Sequence, residues 1–255
     1  MSLRRPRRVL TVLALALVAW TPGATAQPRS FTQTHEYLTL PRGETELELL
    51  TAQTQATFDD ASPEAFALQL AIEHGVGDRW EVALLHLFEQ STGSGTLADP
   101  GEPLRFTELR VRSRYRFSER GELPFDMVAH AEAAKRFGGS VYELELRPVL
   151  ARDVGVVSVA VDPIVEVVVG GDVAEPVLAV GWAAGVTYDA RPTLRVGAET
   201  WGGFDVERVD EAAASAGPAI GWSPTPSLWL AATVGLGLND NADRLTVSAR
   251  LGLRL

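Results

Sequence analysis

The chain closes on Leu245-Thr246-Val247-Ser248-Ala249-Arg250-Leu251-Gly252-Leu253-Arg254-Leu255, in which every odd position is leucine, valine or alanine and every even one is threonine, serine, arginine or glycine. Period two over that length is a strand with one apolar and one polar face. The pattern returns along most of the chain, over strands longer than a water-soluble β-sandwich of this size sustains. A membrane-spanning β-barrel requires it, because lipid meets one face of each strand and the lumen meets the other.

The opposite end supplies an address. Arg4, Arg5, Arg7 and Arg8 precede an apolar run from Val9 to Trp20, and Thr21-Pro22-Gly23-Ala24-Thr25-Ala26 then gives small residues in an A-x-A arrangement. This predicts a secretory signal peptide over 1–26, cut after Ala26. The apolar run is short of the roughly twenty residues that span a bilayer as a helix. The arginine pairs also suit a twin-arginine signal, but that route carries folded cargo, whereas a barrel must arrive unfolded. The general secretory route is expected. Residues 27–43 then read as an N-terminal periplasmic leader and 44–255 as the barrel.

No stretch beyond residue 26 is apolar enough for a transmembrane helix, so insertion must use strands. Without the four signal arginines, 19 of the 23 basic residues remain against 33 acidic ones, a net charge of −14. Bulk charge therefore speaks against nucleic acid and anionic lipid as partners. The absence of cysteine excludes disulfides and thiolate chemistry.

Alternation and turn residues divide the barrel into about twelve strands, near 44–57, 64–74, 79–90, 104–117, 124–137, 140–152, 155–169, 175–188, 192–204, 213–223, 227–239 and 242–255. An even count returns both ends to the same side of the membrane. Taken alternately, the connections form a short, turn-like set and a set that holds the longest and most acidic pieces, 90–103 and 204–212. Short turns on the periplasmic side and longer loops outside are the usual asymmetry. The tight connection at Gly138-Gly139 is an exception on the long-loop side. Pro163 suggests a bulge in its strand, and a change of apolar parity near Leu49-Leu50 suggests another. Trp80, Trp182, Trp222, Tyr115, Tyr142, Tyr188, Phe66, Phe106, Phe117 and Phe125 fall mostly on the apolar parity near strand ends, as interfacial girdle residues do.

Three phrases carry a resemblance: Glu36-Tyr37-Leu38-Thr39-Leu40-Pro41-Arg42-Gly43 with Glu44, Glu46 and Glu48; the hairpin from Glu73 to Leu84 around Gly75-Val76-Gly77-Asp78; and Gly217 to Trp229 around Trp222-Ser223-Pro224-Thr225-Pro226. In these and in spacing, the chain resembles a family of uncharacterised Gram-negative outer-membrane β-barrels, loosely similar to transporters of the meta-pathway phenol-degradation type. The resemblance implies the fold and passage of a solute, and it brings no catalytic or ligand residues. The chain departs from the common outer-membrane ending, since Leu255 stands where an aromatic residue usually does.

The densest chemistry is strand 104–117, where Glu108, Arg110, Arg112, Arg114 and Arg116 share the polar face. Neighbouring strands offer Glu81 and Glu89, Asp126 and Glu132, then Glu143 and Glu145 with Arg147. Cross-strand side chains come within ~5 Å, so these charges can pair. Twelve strands at ~4.8 Å spacing and ~40° tilt give a backbone diameter of ~24 Å. Long side chains reaching inward leave a gap of ~10 Å. Glu81, Glu108, Arg110, Arg112, Arg114, Arg116, Asp126, Glu132, Glu143, Glu145 and Arg147 are thus expected to form a lumen-lining charge network that attracts anions to a pore, fills and stiffens the lumen, or does both.

His35, His74, His86 and His130 stand in no arrangement that would activate a nucleophile, and a role in structure or solvation is expected for each. Gly170-Gly171-Asp172 and Asn239-Asp240-Asn241-Ala242-Asp243 carry oxygen ligands but lack calcium-loop spacing, so they read as turns. The sequence therefore predicts an all-β, antiparallel up-and-down transmembrane barrel of about twelve strands in the bacterial outer membrane. It is expected to be a porin-like channel for small solutes and not an enzyme, with no catalytic residues, metal or cofactor. The alternative is a structural or surface-interaction barrel with a charge-plugged lumen. Outer-membrane lipid, the insertion machinery and periplasmic chaperones are its expected partners.

Overall fold

The computed structural model describes residues 29–56, 65–91, 103–171 and 175–255. The expected signal peptide and much of the expected loops at 58–63 and 90–103 lie outside them. Strands β1 Thr45–Gln55, β2 Ala65–Gly75, β3 Trp80–Ser91, β4 Arg105–Arg116, β5 Asp126–Arg136, β6 Val141–Leu146, β7 Val149–Val154, β8 Val157–Gly170, β9 Val177–Arg191, β10 Leu194–Asp205, β11 Ala213–Thr225, β12 Leu228–Gly237 and β13 Leu245–Arg254 form one antiparallel sheet. β13 pairs with β1 and closes it into a barrel.

β6 and β7 occupy a single wall position, so the wall has twelve strands. Both pair with β5 on one side and β8 on the other without a change of register. The ladder between them lapses where Leu146↔Val165 and Leu150↔Val161 leave Pro148 opposite Pro163. Neither proline has an N–H to give, so the pairing breaks at that step. The bulge expected at Pro163 does not form: β8 runs in continuous register against β9, with Pro163 facing Trp182. Nor does β1 switch parity at Leu49-Leu50, since its pairing with β2 and β13 is unbroken. Leu50 simply lines the lumen, beside Arg110 and Arg112. An irregularity does occur between β3 and β4, where Leu87 pairs with Glu108 and Phe88 with Phe106. Thr107 is the extra residue, and it turns Phe106 onto the lipid face, 5.4 Å from Phe88 and 4.9 Å from Phe137 between ring centroids.

The usual inside-out order of a soluble protein is reversed. Leu47, Leu70, Ile72, Val111, Leu144 and Leu251 are exposed on the outer face while Glu46, Glu73, Glu81, Glu108, Arg112 and Arg114 are buried within. In water such an apolar band would drive association; against lipid it costs nothing. Trp80, Tyr115, Phe117, Phe125, Tyr188 and Trp222 ring the short-turn end, and Phe106, Phe137 and Tyr142 stand toward the other. Trp182 differs from its expected girdle place: it is the sixth residue of β9, and its ring fills the space beside Gly202. Trp229 is almost wholly buried and packs over Gly252 inside the lumen.

The larger departure concerns the leader. Residues 29–40, expected on the periplasmic side, run inside the barrel. Phe31 and Tyr37 form a small apolar core there with Val128, Val149, Ala151, Ala160 and Ala219 of the wall. The chain leaves at Gly43, whose φ of +82° suits glycine. Its N–H bonds to Gly75 O at 2.7 Å, and the Leu255 N–H bonds to Thr45 O at 2.9 Å. Both ends of the barrel thus meet on the short-turn side.

Candidate functional site

The leader is folded back on itself. Its Leu40 N–H donates to Glu81 Oε2 at 2.7 Å near the short-turn end, its middle residues reach the mid-wall, and Arg29 returns to Glu73, 2.7 Å away near the same end. Ser30 N–H bonds to Glu36 Oε1 at 3.1 Å across the neck of the loop.

Its tip is held by one carboxylate. Glu199, inward on β10, accepts the N–H groups of Thr32, Gln33 and Thr34 at 3.1, 3.0 and 3.0 Å and the hydroxyl groups of Thr32 and Thr34 at 2.9 and 3.2 Å. Thr233 Oγ1 donates to it as well. Three successive amides aimed at one anion make a nest, and bonds to a charged acceptor are stronger than neutral ones. Further bonds run from His35 N–H to Asp162 Oδ2 at 2.5 Å, from Arg147 Nη1 to Gln33 O at 3.2 Å and from Arg114 Nη2 to Glu36 O at 2.7 Å. Tyr37 Oη donates to the Ser118 carbonyl. The His35 ring lies 4.7 Å from that of His130. Burial, with Arg147 and His130 beside it, holds the His35 imidazole well below its ordinary value and therefore neutral.

The expected charge network faces inward, and the arginine ladder is paired along its length. Arg110 bonds to Glu108 and to Glu132 (2.8 Å); Arg112 to Glu73; Arg114 lies 3.5 Å from Glu81; Arg116 bonds to Glu119 at 2.7 Å. Arg136 joins Glu108 and Glu143 at 3.2 and 2.9 Å, and Arg147 Nε meets Glu145 at 2.9 Å. Asp126 has a different partner: it accepts the Gly121 N–H at 2.7 Å and fixes the β4–β5 turn. Glu89 is exposed at the far end of β3. Sequence spacing did not point to Arg29, Glu46, Glu48, Glu73, Asp162, Glu199 or Arg250. The inward parity of the six wall residues was readable, but Glu46, Glu48, Glu73, Asp162 and Glu199 also meet a leader, Arg29 included, whose place inside the barrel no local pattern signals.

Space remains above the leader. A cavity of about 180 Å³ lies between Gln33 at its tip and Arg110, Arg112, Glu132, Arg147 and Arg250 of the wall. A second, about 430 Å³, opens toward the loop end between Glu145, Ile164, Glu166, Gly181, Gly203 and Asp205. The segment 239–243 acts as a turn: Asn239 Nδ2 donates to Ala212 O at 2.7 Å, Asn241 Nδ2 to Asp210 O at 2.9 Å, and Asp240 pairs with Arg244 at 2.6 Å.

No family model and no curated protein matches the chain. Solved structures do. An outer membrane channel from Pseudomonas putida F1 superimposes with a TM-score of 0.68 at 12% identity, over 88% of this chain and 100% of that one. The NanC porin gives 0.55 at 11%, over 81% and 97%. The KdgM porin, solved with disordered oligogalacturonate, gives 0.53 at 9%, over 82% and 97%. Identities this low establish a shared fold, that of outer-membrane β-barrels.

Proposed function

We propose that the protein is a porin-like outer-membrane channel for small solutes, exported by a cleaved signal peptide and closed at its periplasmic half by its own leader. The observation that carries this reading is a charged lumen, enclosed by a wall that closes on itself and obstructed by a separate segment rather than by wall side chains alone. A leader held mainly by polar bonds can leave without cutting into the wall. The likeness to the channel and the two porins supports the same reading, as does the resemblance to phenol-degradation-type transporters, which would make the solute a small organic molecule. The reading is non-enzymatic: both ring nitrogens of His130 are buried without a hydrogen bond, and its ring faces His35 rather than a nucleophile.

The second reading, a structural barrel with a plugged lumen, draws on the pairing of every ladder arginine with a carboxylate. Single-channel recording of the refolded protein separates the two. Discrete openings, longer or more frequent when Glu199 is changed to alanine, support the channel; silence in both proteins supports the structural barrel.

A further inference from the structure

Glu46 on β1 and Glu73 on β2 are direct cross-strand partners, and Glu48 is the next inward residue of β1. Like charges directly opposed on a sheet repel. These three are exposed by only 1, 0 and 3%, and one oxygen of each lies within 4.8 Å of the others. The wall answers part of the repulsion: Arg112 bonds to Glu73, Arg250 Nε lies 3.5 Å from Glu48, and Arg254 Nε lies 3.8 Å from Glu46.

A cation of the leader, not of the wall, fills the middle. Arg29 Nη2 is 2.7 Å from Glu73 Oε2 and 3.5 Å from Glu46 Oε1, and Nη1 is 3.7 Å from Glu48 Oε2. The Arg29 Cζ stands 5.3 Å from the centroid of the Trp229 ring. The indole can lie there because residue 252 is glycine; a Cβ at that position would strike it. The fit is loose, since neither oxygen of the buried Glu48 accepts a hydrogen bond, nor does Oε1 of Glu46.

We propose that Glu46, Glu48, Glu73 and Trp229 form a binding site for guanidinium-headed organic cations, which the leader's Arg29 fills in the closed state and for which a free solute of that class competes. A planar, weakly hydrated cation with five donors matches several carboxylates and an aromatic face together. A calcium ion takes six to eight oxygens and would have to shed its water beside three arginines, so the cage suits it poorly. The solute class rests on the channel reading above; the site itself does not.

The test uses the refolded full-length Arg29→Ala protein with methylguanidinium, and with tetramethylammonium, sodium and calcium at matched ionic strength. Methylguanidinium is expected to bind saturably by calorimetry, at least tenfold more tightly than tetramethylammonium, and to restore at least half of the urea midpoint lost on substitution. Adding Glu48→Gln should weaken that binding at least tenfold. Absence of saturable binding, or equal rescue by calcium or sodium, overturns the proposal. Should Arg29→Ala not refold, wild type is digested with trypsin: methylguanidinium should speed cleavage after Arg29 severalfold over the matched salts, and no acceleration overturns the proposal. Binding without conductance in any variant upholds the site and counts against the channel.

Discussion

The Glu199 carboxylate, on the barrel wall, accepts the main-chain N–H of Gln33, at the tip of the leader, at 3.0 Å. Thr32 and Thr34 on either side give their N–H groups to the same carboxylate. Bonds to a charged group contribute ~1.5 to 3 kcal/mol each, and they are not additive. Glu199→Ala should therefore loosen the leader by several kcal/mol while leaving the wall folded. Amide hydrogen exchange at 32–34 should rise at least a hundredfold; unchanged protection would show that apolar packing of Phe31 and Tyr37 holds the leader instead.

Gly221 faces the lumen beneath the leader, and a Cβ there would lie 2.7 Å from Arg29 O and 2.8 Å from Ser30 Cα. Both are backbone atoms, which cannot swing aside. Gly221→Val should expel this arm of the leader, making Arg29 sensitive to trypsin, whereas Ile220→Val on the lipid face should leave it protected. The heat-dependent gel shift of a folded barrel should persist in both.

Arg112 and Arg114 are 2 and 1% exposed, and each has a carboxylate partner. Removing one member of such a pair leaves a buried charge uncompensated and can cost ~3 to 5 kcal/mol. Changing both to glutamine should lower the urea midpoint markedly and shift reversal potentials toward cations. A stable protein with altered selectivity would mean that these arginines line open water.

On β13 the two faces should respond differently. Leu251 is outward and exposed, whereas Ser248 is inward and buried. Leu251→Arg near mid-membrane should cost ~2 to 4 kcal/mol, and Ser248→Gln much less, in denaturant unfolding from liposomes. Equal penalties would contradict the assigned parity.

Acid should favour release of the leader. Seated, His35 has its value depressed, so below the ordinary ~6.5 the withdrawn leader binds a proton that the seated one does not. The stability of the seated state is therefore complete above that value and declines as pH falls through it. Asp162 holds the His35 main-chain N–H, His130 faces the ring, Arg147, Arg114 and Arg250 are nearby, and Glu132 and Glu145 lie beyond His130. Trypsin cleavage after Arg29 should rise between pH 7.5 and 5.5, and His35→Gln should remove most of that rise.

How much of this was legible in advance follows from the range of the forces involved. Alternation is local: a two-residue period states which face of each strand meets lipid, and with turn residues it gave twelve wall strands, the short-turn side and the inward Glu108-Arg110-Arg112-Arg114-Arg116 ladder from composition along the chain. Even the break at Pro148 and Pro163 is a property of single residues, although only the register set them opposite one another and let β8 pass without a bulge. Partners were another matter. Which acid meets which arginine depends on stagger between strands, so Arg112 found Glu73, two strands away, while Asp126 turned to a loop amide. The leader lay furthest from reach. Residues 29–40 have no strong period, and their fit depends on a cylinder whose wall brings Glu199, Asp162, Glu73 and Glu81 from distant parts of the chain to one enclosed volume. The sequence determined a barrel with a charged interior; closing the sheet decided what occupies it, because the lumen gathers buried carboxylates that the wall's own arginines satisfy in part and that a second layer of donors, here residues 29–40, satisfies further.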